Sequence, residues 1–486
     1  MTILNMSTRD TDWRRRLREA IPTKERTAIP RAQMPMLDAA YRITVNEEVN
    51  RGLSAEQAVI EATRCLDCPD PQCVTGCPVG IDIPGFIKNI QRGDLPEAAA
   101  TLRATSALPA VCGRVCPQEK QCESRCIYNK MKKEPVAIGW LERYAADSAP
   151  ADAAAPAAPA NGIRVAVAGS GPAGLSFAGD MARRGYSVTV FEALHQIGGV
   201  LKYGIPEFRL PNSVVDKELD ALRAAGVTFC PDTVIGKTLS YDDLLAAGYQ
   251  GIFIASGAGL PRFMGIPGEN LINILSSNEY LTRVNLMHAG QPGYATPVPR
   301  GARVAIIGGG NTAMDSVRTA LRMGAKEAML VYRRSQDEMP ARREEVEHAL
   351  QEGVRFMTLS NPVEYIGDER GRVTAMRVQR MELGEPDTSG RRSPVPIPGA
   401  IDLVPVDLVI VSVGVSPNPL IPNAIEGLEV TGRGTIAVDD SLHSSIGTIF
   451  AGGDIVRGGA TVILAMGDGR RAAASMHKYL TENHSS

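Results

Sequence analysis

Two segments of this chain carry the same pattern, and that repetition limits the fold more than any other feature. GIRVAVAGSGPAGLSFAGDMARRGYSVTVFEA, from Gly162, reads as strand, glycine turn, amphipathic helix and strand. GARVAIIGGGNTAMDSVRTALRMGAKEAMLVYRR, from Gly301 to Arg334, repeats it about 140 residues later. Two copies of one βαβ unit imply two dinucleotide folds in a single chain. The C-terminal stretch GTIFAGGDIVRGGATVILAMGDGRRAAASMHKYL supplies a strand, a glycine turn and a final helix, but no βαβ unit of its own. It is therefore expected to complete the first fold after the second has been inserted.

The two loops differ in the residue that ends the next strand. In the first, Gly169-x-Gly171-x-x-Gly174 comes after the apolar strand RVAVA, and Pro172 and Ala173 open the helix. The first glycine permits the tight turn, the second admits a pyrophosphate to the backbone, and the third lets helix and strand pack closely. Eighteen residues past Gly174, Glu192 ends the next strand, where a carboxylate accepts bonds from ribose hydroxyls. The second loop is Gly308-x-Gly310-x-x-Ala313, with Asn311 and Thr312 at the helix start. Its next strand ends in Arg333 and Arg334 instead of an acid. Guanidiniums there can fork onto a 2'-phosphate, so this site reads as NADPH and the acid-terminated one as FAD. Gly198 and Gly199, in QIGGVLKYGIP, are expected to let backbone approach the ribityl-flavin part of FAD.

With 486 residues, the chain has room for about three domains. A formal charge of -2 removes the simplest case for nucleic-acid binding, and no run reaches the roughly 18 apolar residues of a membrane span. The N-terminus shows no secretory pattern, so a cytoplasmic, reducing setting is expected. Of nine cysteines, all but Cys230 lie between Cys65 and Cys126. They fall as Cys65-x2-Cys68-x4-Cys73-x3-Cys77-Pro78 and Cys112-x3-Cys116-Pro117-x4-Cys122-x3-Cys126. Zinc favours two separated C-x2-C knuckles, whereas four cysteines within thirteen residues ending in Cys-Pro resemble a ferredoxin-type run, although x4 replaces the usual x2 before the third cysteine. The fourth cysteine of such runs serves the other cluster, so two [4Fe-4S] clusters with exchanged ligands are expected. Ser54 and Gln57 form a capping-box pattern ahead of a helix that should deliver Cys65.

The nested nucleotide folds resemble the two-dinucleotide-binding flavoprotein superfamily. That resemblance implies that Gly453 and Asp454, in the late Gly-Gly-Asp after TIFA, contact the ribityl chain of FAD. The superfamily's redox C-x-x-C is missing from both nucleotide folds, so electrons must leave the flavin by another route. The segments CLDCPDPQCVTGCPVGIDIPGFI, ALPAVCGRVCPQEKQCESRC, EPVAIGWLERYAAD, GGVLKYGIPEFRLP and GGGNTAMDSVRTALRMGA resemble the glutamate synthase small-subunit family. This family includes flavin subunits of ferredoxin:NADP transhydrogenase and the flavin-bearing part of dihydropyrimidine dehydrogenase. The resemblance implies one cluster on Cys65, Cys68, Cys73 and Cys126, and a second on Cys77, Cys116 and Cys122 with a side-chain oxygen from Glu142. In the rival assignment Cys112 replaces Glu142, which is then a solvated helix charge.

The expected fold is α/β: a helical double [4Fe-4S] domain (1–147), a linker (148–161), and two nested Rossmann-like domains. FAD takes 162–287 and 414–486, and NADPH takes 288–413. The lead segment IPTKERTAIPRAQMPMLDAAYRI and the segment IPGENLINILSSNEYLTRVNLMHAG look more like transhydrogenase-type relatives, and Met1 is followed by Thr2 instead of a nucleophilic cysteine. Glutamate or pyrimidine chemistry is thus expected on another polypeptide: a glutamate synthase large chain, a ferredoxin or a flavoprotein partner in a hetero-oligomer. No protein acid or base is needed for hydride transfer, so none of the six histidines is assigned to catalysis. The charged segment RRSQDEMPARREEVEHAL could move on NADPH binding, but its charges read rather as a solvated face.

Overall fold

The computed structural model describes residues 9–149 and 158–484, so most of the expected linker lies outside the described residues. The N-terminal part is helical. Helix Ala55–Arg64 starts at the expected capping box, with Gln57 N donating to Ser54 Oγ (3.2 Å) and Ser54 N to Gln57 Oε1 (2.9 Å), and its C-cap is Cys65. Helix Ile83–Gln91 is capped by Asp82, which accepts from Gly85 N, and buries Phe86, Ile87 and Ile90. Helix Pro109–Val115 carries Cys112 and packs on Ile138–Ser148, which carries Glu142.

The strands of the first nucleotide sheet are β1 (Arg164–Ala168), β2 (Ser187–Phe191), β3 (Thr228–Cys230), β4 (Tyr249–Ile254) and β15 (Ile449–Ala451). They run parallel in the order β15-β4-β1-β2-β3. The late strand β15 thus joins the early ones, as the repeat pattern requires. Helix Pro172–Ala182 lies along the final helix, Val462–His484, and Phe177 stacks on Phe253 at 4.3 Å. The chain leaves through β5 (Leu260–Pro261) and returns through β14 (Val415–Ser416), and these pair antiparallel.

The second sheet is built from β6 (Ile274–Ser276), β7 (Arg303–Ile307), β8 (Glu327–Tyr332), β9 (Arg355–Thr358) and β13 (Leu408–Val411). It is also parallel, in the order β6-β13-β7-β8-β9. β6 corrects the expected 287/288 boundary: the inserted domain has begun by Ile274, because that strand pairs with β13. β10 (Ser360–Gly367), β11 (Val373–Pro386) and β12 (Arg392–Pro405) form a separate antiparallel sheet.

The cysteine-bearing helices are not a detached module. Phe86, Ile87, Val111 and Leu141 share one apolar core with Val165, Phe177 and Val190 of the first nucleotide fold. The inserted domain is held to the rest by buried charge. Arg318 pairs with Glu345 and with Glu352 (2.8 Å), Arg42 reaches Glu352 (2.8 Å), and Arg209 reaches Asp315 (2.8 Å) and Glu345 (3.2 Å). The segment expected to be a solvated face is therefore partly interior: Arg342, Glu345 and His348 are buried. Among the described residues no helix is long and apolar enough to cross a membrane.

Candidate functional site

Both glycine loops open on one cleft of about 1940 Å³ between the two sheets. At the first loop, Gly169 holds φ +108°, and a Cβ there would stand 2.5 Å from the Ala255 carbonyl. A Cβ on Gly174 would collide with the carbonyl of Gly169, which is why helix and strand can close together. Gly171 differs, since its Cβ would meet nothing within 4 Å and would point into open space. The second loop repeats this logic: Gly308 is pressed against Ser412, Gly310 faces open space, and Ala313 is fully buried. A position without a side chain is thus kept where a pyrophosphate approaches the helix N-terminus.

Gly169, Gly171, Pro172, Ala173, Glu192, Gly199 and Asp454 line the cleft, while Gly174, Gly198 and Gly453 stand behind its wall. Glu192 is buried and accepts from Ser170 N (2.9 Å), Ser170 Oγ (2.5 Å) and Leu194 N (3.0 Å). A carboxylate has about four acceptor positions, so one remains for a ribose hydroxyl. Burial raises the Asp454 carboxyl to about 6. Tyr203, which the sequence did not signal, faces the same space, its phenol pushed up to about 12 by burial and then by Asp454 and Glu192.

On the second fold, Gly308, Gly310, Asn311, Thr312, Arg333 and Arg334 line the cleft, with Ala313 behind. Asn311 Oδ1 accepts from Arg342 N (2.8 Å), and Arg342 donates to the carbonyl of Arg114 and to Gln118 Oε1 (3.0 Å) beside Cys116. The two terminal arginines are not equivalent. Arg333 is exposed and makes no hydrogen bond or ion pair with the described residues. Arg334 is only 5 % exposed, pairs with Asp387 (2.5 Å) and donates to the carbonyl of Arg392 (2.8 Å). Both guanidiniums thus stand at the cleft, but Arg334 spends its Nε and one terminal nitrogen on the β11–β12 hairpin.

The eight clustered cysteines fall into two groups. Burial raises the Cys73 thiol well above its ordinary value, and Cys65, Cys126 and Cys68 push it further. Cys122 is raised by burial, then by Glu123, Cys77, Glu142 and Cys116. Each effect needs proximity, so Cys65, Cys68, Cys73 and Cys126 lie together, and Cys77, Cys112, Cys116 and Cys122 lie together with Glu142. Glu142 is buried, its carboxyl raised to about 8 by burial and Glu218, and its Oε1 has no hydrogen-bond partner. The Cys112 Sγ lies 3.5 Å from Met466 Sδ and also hydrogen-bonds with Cys116, so it stands beside the second group as well. Among the described residues no three His, Cys, Asp or Glu are close enough to grip a single metal ion. In an iron–sulfur cluster the thiolates bind separate irons.

The second group adjoins the cleft. Val115 and Pro117, flanking Cys116, line it, and Pro78, after Cys77, packs its carbonyl against Gly467 of the final helix. The first group is surrounded by cations. Lys88 Nζ (2.6 Å) and Arg26 (3.1 Å) donate to the Cys65 carbonyl, while Arg14 (2.7 Å) and Arg18 (2.8 Å) pair with buried Asp67.

A helical cysteine domain feeding two nested nucleotide folds defines a pyridine-nucleotide oxidoreductase with an iron–sulfur module. Residues 42–154 match the family described as dihydropyrimidine dehydrogenase domain II, 4Fe-4S cluster, and residues 163–469 match pyridine nucleotide-disulphide oxidoreductase. The glutamate synthase [NADPH] small chain of Azospirillum brasilense is 38% identical over 91% of this chain and 93% of its own. The Escherichia coli small chain is 36% identical over 89% and 93%. The NADPH-Fe(3+) oxidoreductase subunit beta of Geobacter sulfurreducens is 35% identical over 92% of this chain and 69% of its own. Among solved structures, Mycobacterium tuberculosis FprA in complex with NADPH shares the fold, with a TM-score of 0.56 and 20% identity over 68% of this chain and 86% of that one. The chain belongs to the glutamate synthase small-chain family. It is an NADPH-linked FAD/iron–sulfur oxidoreductase subunit.

Proposed function

We propose that this subunit passes electrons between NADPH and a second redox protein through FAD and two [4Fe-4S] clusters. When bound, FAD exchanges a hydride with the nicotinamide, and the clusters carry its electrons singly. The loop at Gly169, Gly171 and Gly174, with Glu192, Gly198, Gly199, Gly453 and Asp454, holds FAD. The loop at Gly308, Gly310 and Ala313, with Asn311 and Thr312, holds NADPH, and Arg333 meets the 2'-phosphate. Cys65, Cys68, Cys73 and Cys126 hold one cluster; Cys77, Cys116, Cys122 and Glu142 hold the other.

The observation that carries this reading is the orphaned Glu142 carboxylate oxygen, buried beside the thiols of Cys77, Cys112 and Cys122. An unpartnered buried carboxylate is costly, and an iron atom satisfies it. In this reading the Glu142 set stands beside the flavin, because Val115 and Pro117, flanking Cys116, line the cleft, and the Cys65 set lies beyond it. The partner is another subunit, of the kind its relatives' names as small or beta subunits indicate. Glutamate synthase large chain, ferredoxin and a flavoprotein are the candidates.

The test is an anaerobic absorption spectrum with iron and sulfide analysis. Flavin bands on a broad iron–sulfur shoulder, bleached by NADPH far more than by NADH, with about eight iron atoms per chain, are expected. A zinc protein, or one with flavin but no iron, overturns the reading.

A further inference from the structure

The commitment of Arg334 to Asp387 leaves Arg333 alone at the end of β8, yet a 2'-phosphate carries two charges that one exposed guanidinium serves poorly. The wall of the cleft supplies a second cation from a distant stretch of chain. Arg391 sits at the turn joining β11 to β12 and lines the cleft together with Arg333, Ser360 and Asn361. Its Nε donates to Ser389 Oγ (3.0 Å), and its two terminal nitrogens have no partner among the described residues.

The turn that carries Arg391 is built to be held in place. Asp387 Oδ1 accepts from Ser389 N (2.8 Å), Ser389 Oγ (2.5 Å) and Arg391 N (3.3 Å), while Asp387 Oδ2 pairs with Arg334. Arg334 Nε also donates to the carbonyl of Arg392. Arg334 therefore ties the tip of the hairpin to the end of the nucleotide strand on both sides of Arg391. It also neutralises Asp387, a carboxylate in the turn that would otherwise repel an anion.

We propose that Arg391 and Arg333 together form the clamp for the 2'-phosphate of NADPH, and that Arg334 and Asp387 are positioning residues that deliver Arg391 to it. The proposal rests on the reading of the second fold as the NADPH site. Two guanidiniums approaching from different elements fit a tetrahedral phosphate, because each presents a planar fork of donors. An NADH ribose offers only a hydroxyl there and gains nothing from the second cation. The β11–β12 hairpin, which belongs to neither parallel sheet, thereby acquires a role in cofactor choice.

The test uses purified holoenzyme and two ligand pairs: NADPH against NADH in flavin bleaching, and 2',5'-ADP against 5'-AMP in calorimetric titration. Arg391→Gln and Arg333→Gln are each expected to lower the NADPH-over-NADH preference about tenfold or more, through KM, and to weaken 2',5'-ADP far more than 5'-AMP. Asp387→Asn, which loosens the turn without touching the ligand, is expected to shift the same ratio less. Arg391→Gln with the full wild-type preference, while Arg333→Gln loses it, overturns the clamp and leaves the NADPH site standing. A wild-type protein with no preference for NADPH overturns both.

Discussion

Replacing Gly171 by alanine should separate the fold from the flavin it holds. Gly171 has φ -69° and ψ 179° at the N-cap of the helix Pro172–Ala182, a backbone conformation open to any L-residue. The added Cβ meets nothing within 4 Å, so no atom of the protein has to move. Two small terms then oppose each other. Alanine reduces unfolded-chain freedom, which stabilises by about 0.4–1 kcal/mol, and it is a poorer N-cap than glycine by a comparable amount. Folding stability should change by less than about 1 kcal/mol. The methyl nevertheless occupies the space through which the pyrophosphate reaches the helix N-terminus. FAD at about 100 times its Kd stabilises a protein by roughly 2.7 kcal/mol, or about 5–10 °C of Tm for a domain of 150–250 residues. The variant should lose that increment while its flavin-free Tm stays at the wild-type value. Flavin released per chain and thermal unfolding with and without added FAD measure both. A Gly171→Ala protein with stoichiometric FAD and the full rise in Tm refutes the reasoning. Gly174→Ala provides the contrast: its Cβ collides with the Gly169 carbonyl, so the fold itself should fail.

Cys112→Ser should retain iron and sulfide, whereas Glu142→Ala should lose iron from one cluster and alter the low-temperature EPR spectrum; iron analysis distinguishes them, and the reverse pattern restores Cys112 as the ligand. Arg318→Met leaves Glu345 to Arg209 and Glu352 to Arg42 and Arg322, and urea unfolding should show a loss at the lower end of about 3–5 kcal/mol. Burial lowers His348 to about 4, and Glu352, which burial would raise, is held at about 2 by Arg318 and Arg322. Both folded values lie below their ordinary values of 6.5 and 4.5. Each group's contribution is therefore present at higher pH and lost on acidification, from 6.5 towards 4 for His348 and from 4.5 towards 2 for Glu352. The urea midpoint of the wild type relative to His348→Gln should fall between about pH 7 and 5, and a constant difference contradicts this.

Local spacing made the two nucleotide folds legible. The turn, the open glycine and the packed third position all lie within six residues, so Gly171 and Gly310 could be read without knowing their surroundings. The strand after each loop was equally visible, but the duty of its last side chain was not. Arg334 takes its role from Asp387, 53 residues downstream on a hairpin whose alternating pattern says nothing about where its tip lands. The charges of Arg343–Gln351 misled for a related reason. Their partners include Arg42, whose bond to the His348 carbonyl spans 306 positions, so a periodic polar face gave no sign of being covered. β6 escaped notice because three residues without a glycine turn carry no periodicity of their own. Grouping the cysteines needed family resemblance, since spacing alone leaves Cys112 and Glu142 interchangeable.

The position of β15 bears on how the protein is made. The thiols at Cys65 to Cys126 leave the ribosome long before part of the wall around them: Cys112 rests on Met466, and Pro78 rests on Gly467. The first sheet likewise lacks its edge strand until Ile449–Ala451 has been synthesised, after the whole inserted domain. Domains generally fold as they emerge, N-terminal end first, and this architecture withholds that route from its two outer parts while granting it to the inserted one. The nascent chain must therefore carry exposed thiols and an unfinished flavin sheet until the helix Val462–His484 has emerged. Cofactor loading then falls late in synthesis or after it, and the nucleotide domain at 274–411 is the first piece whose parallel sheet is complete.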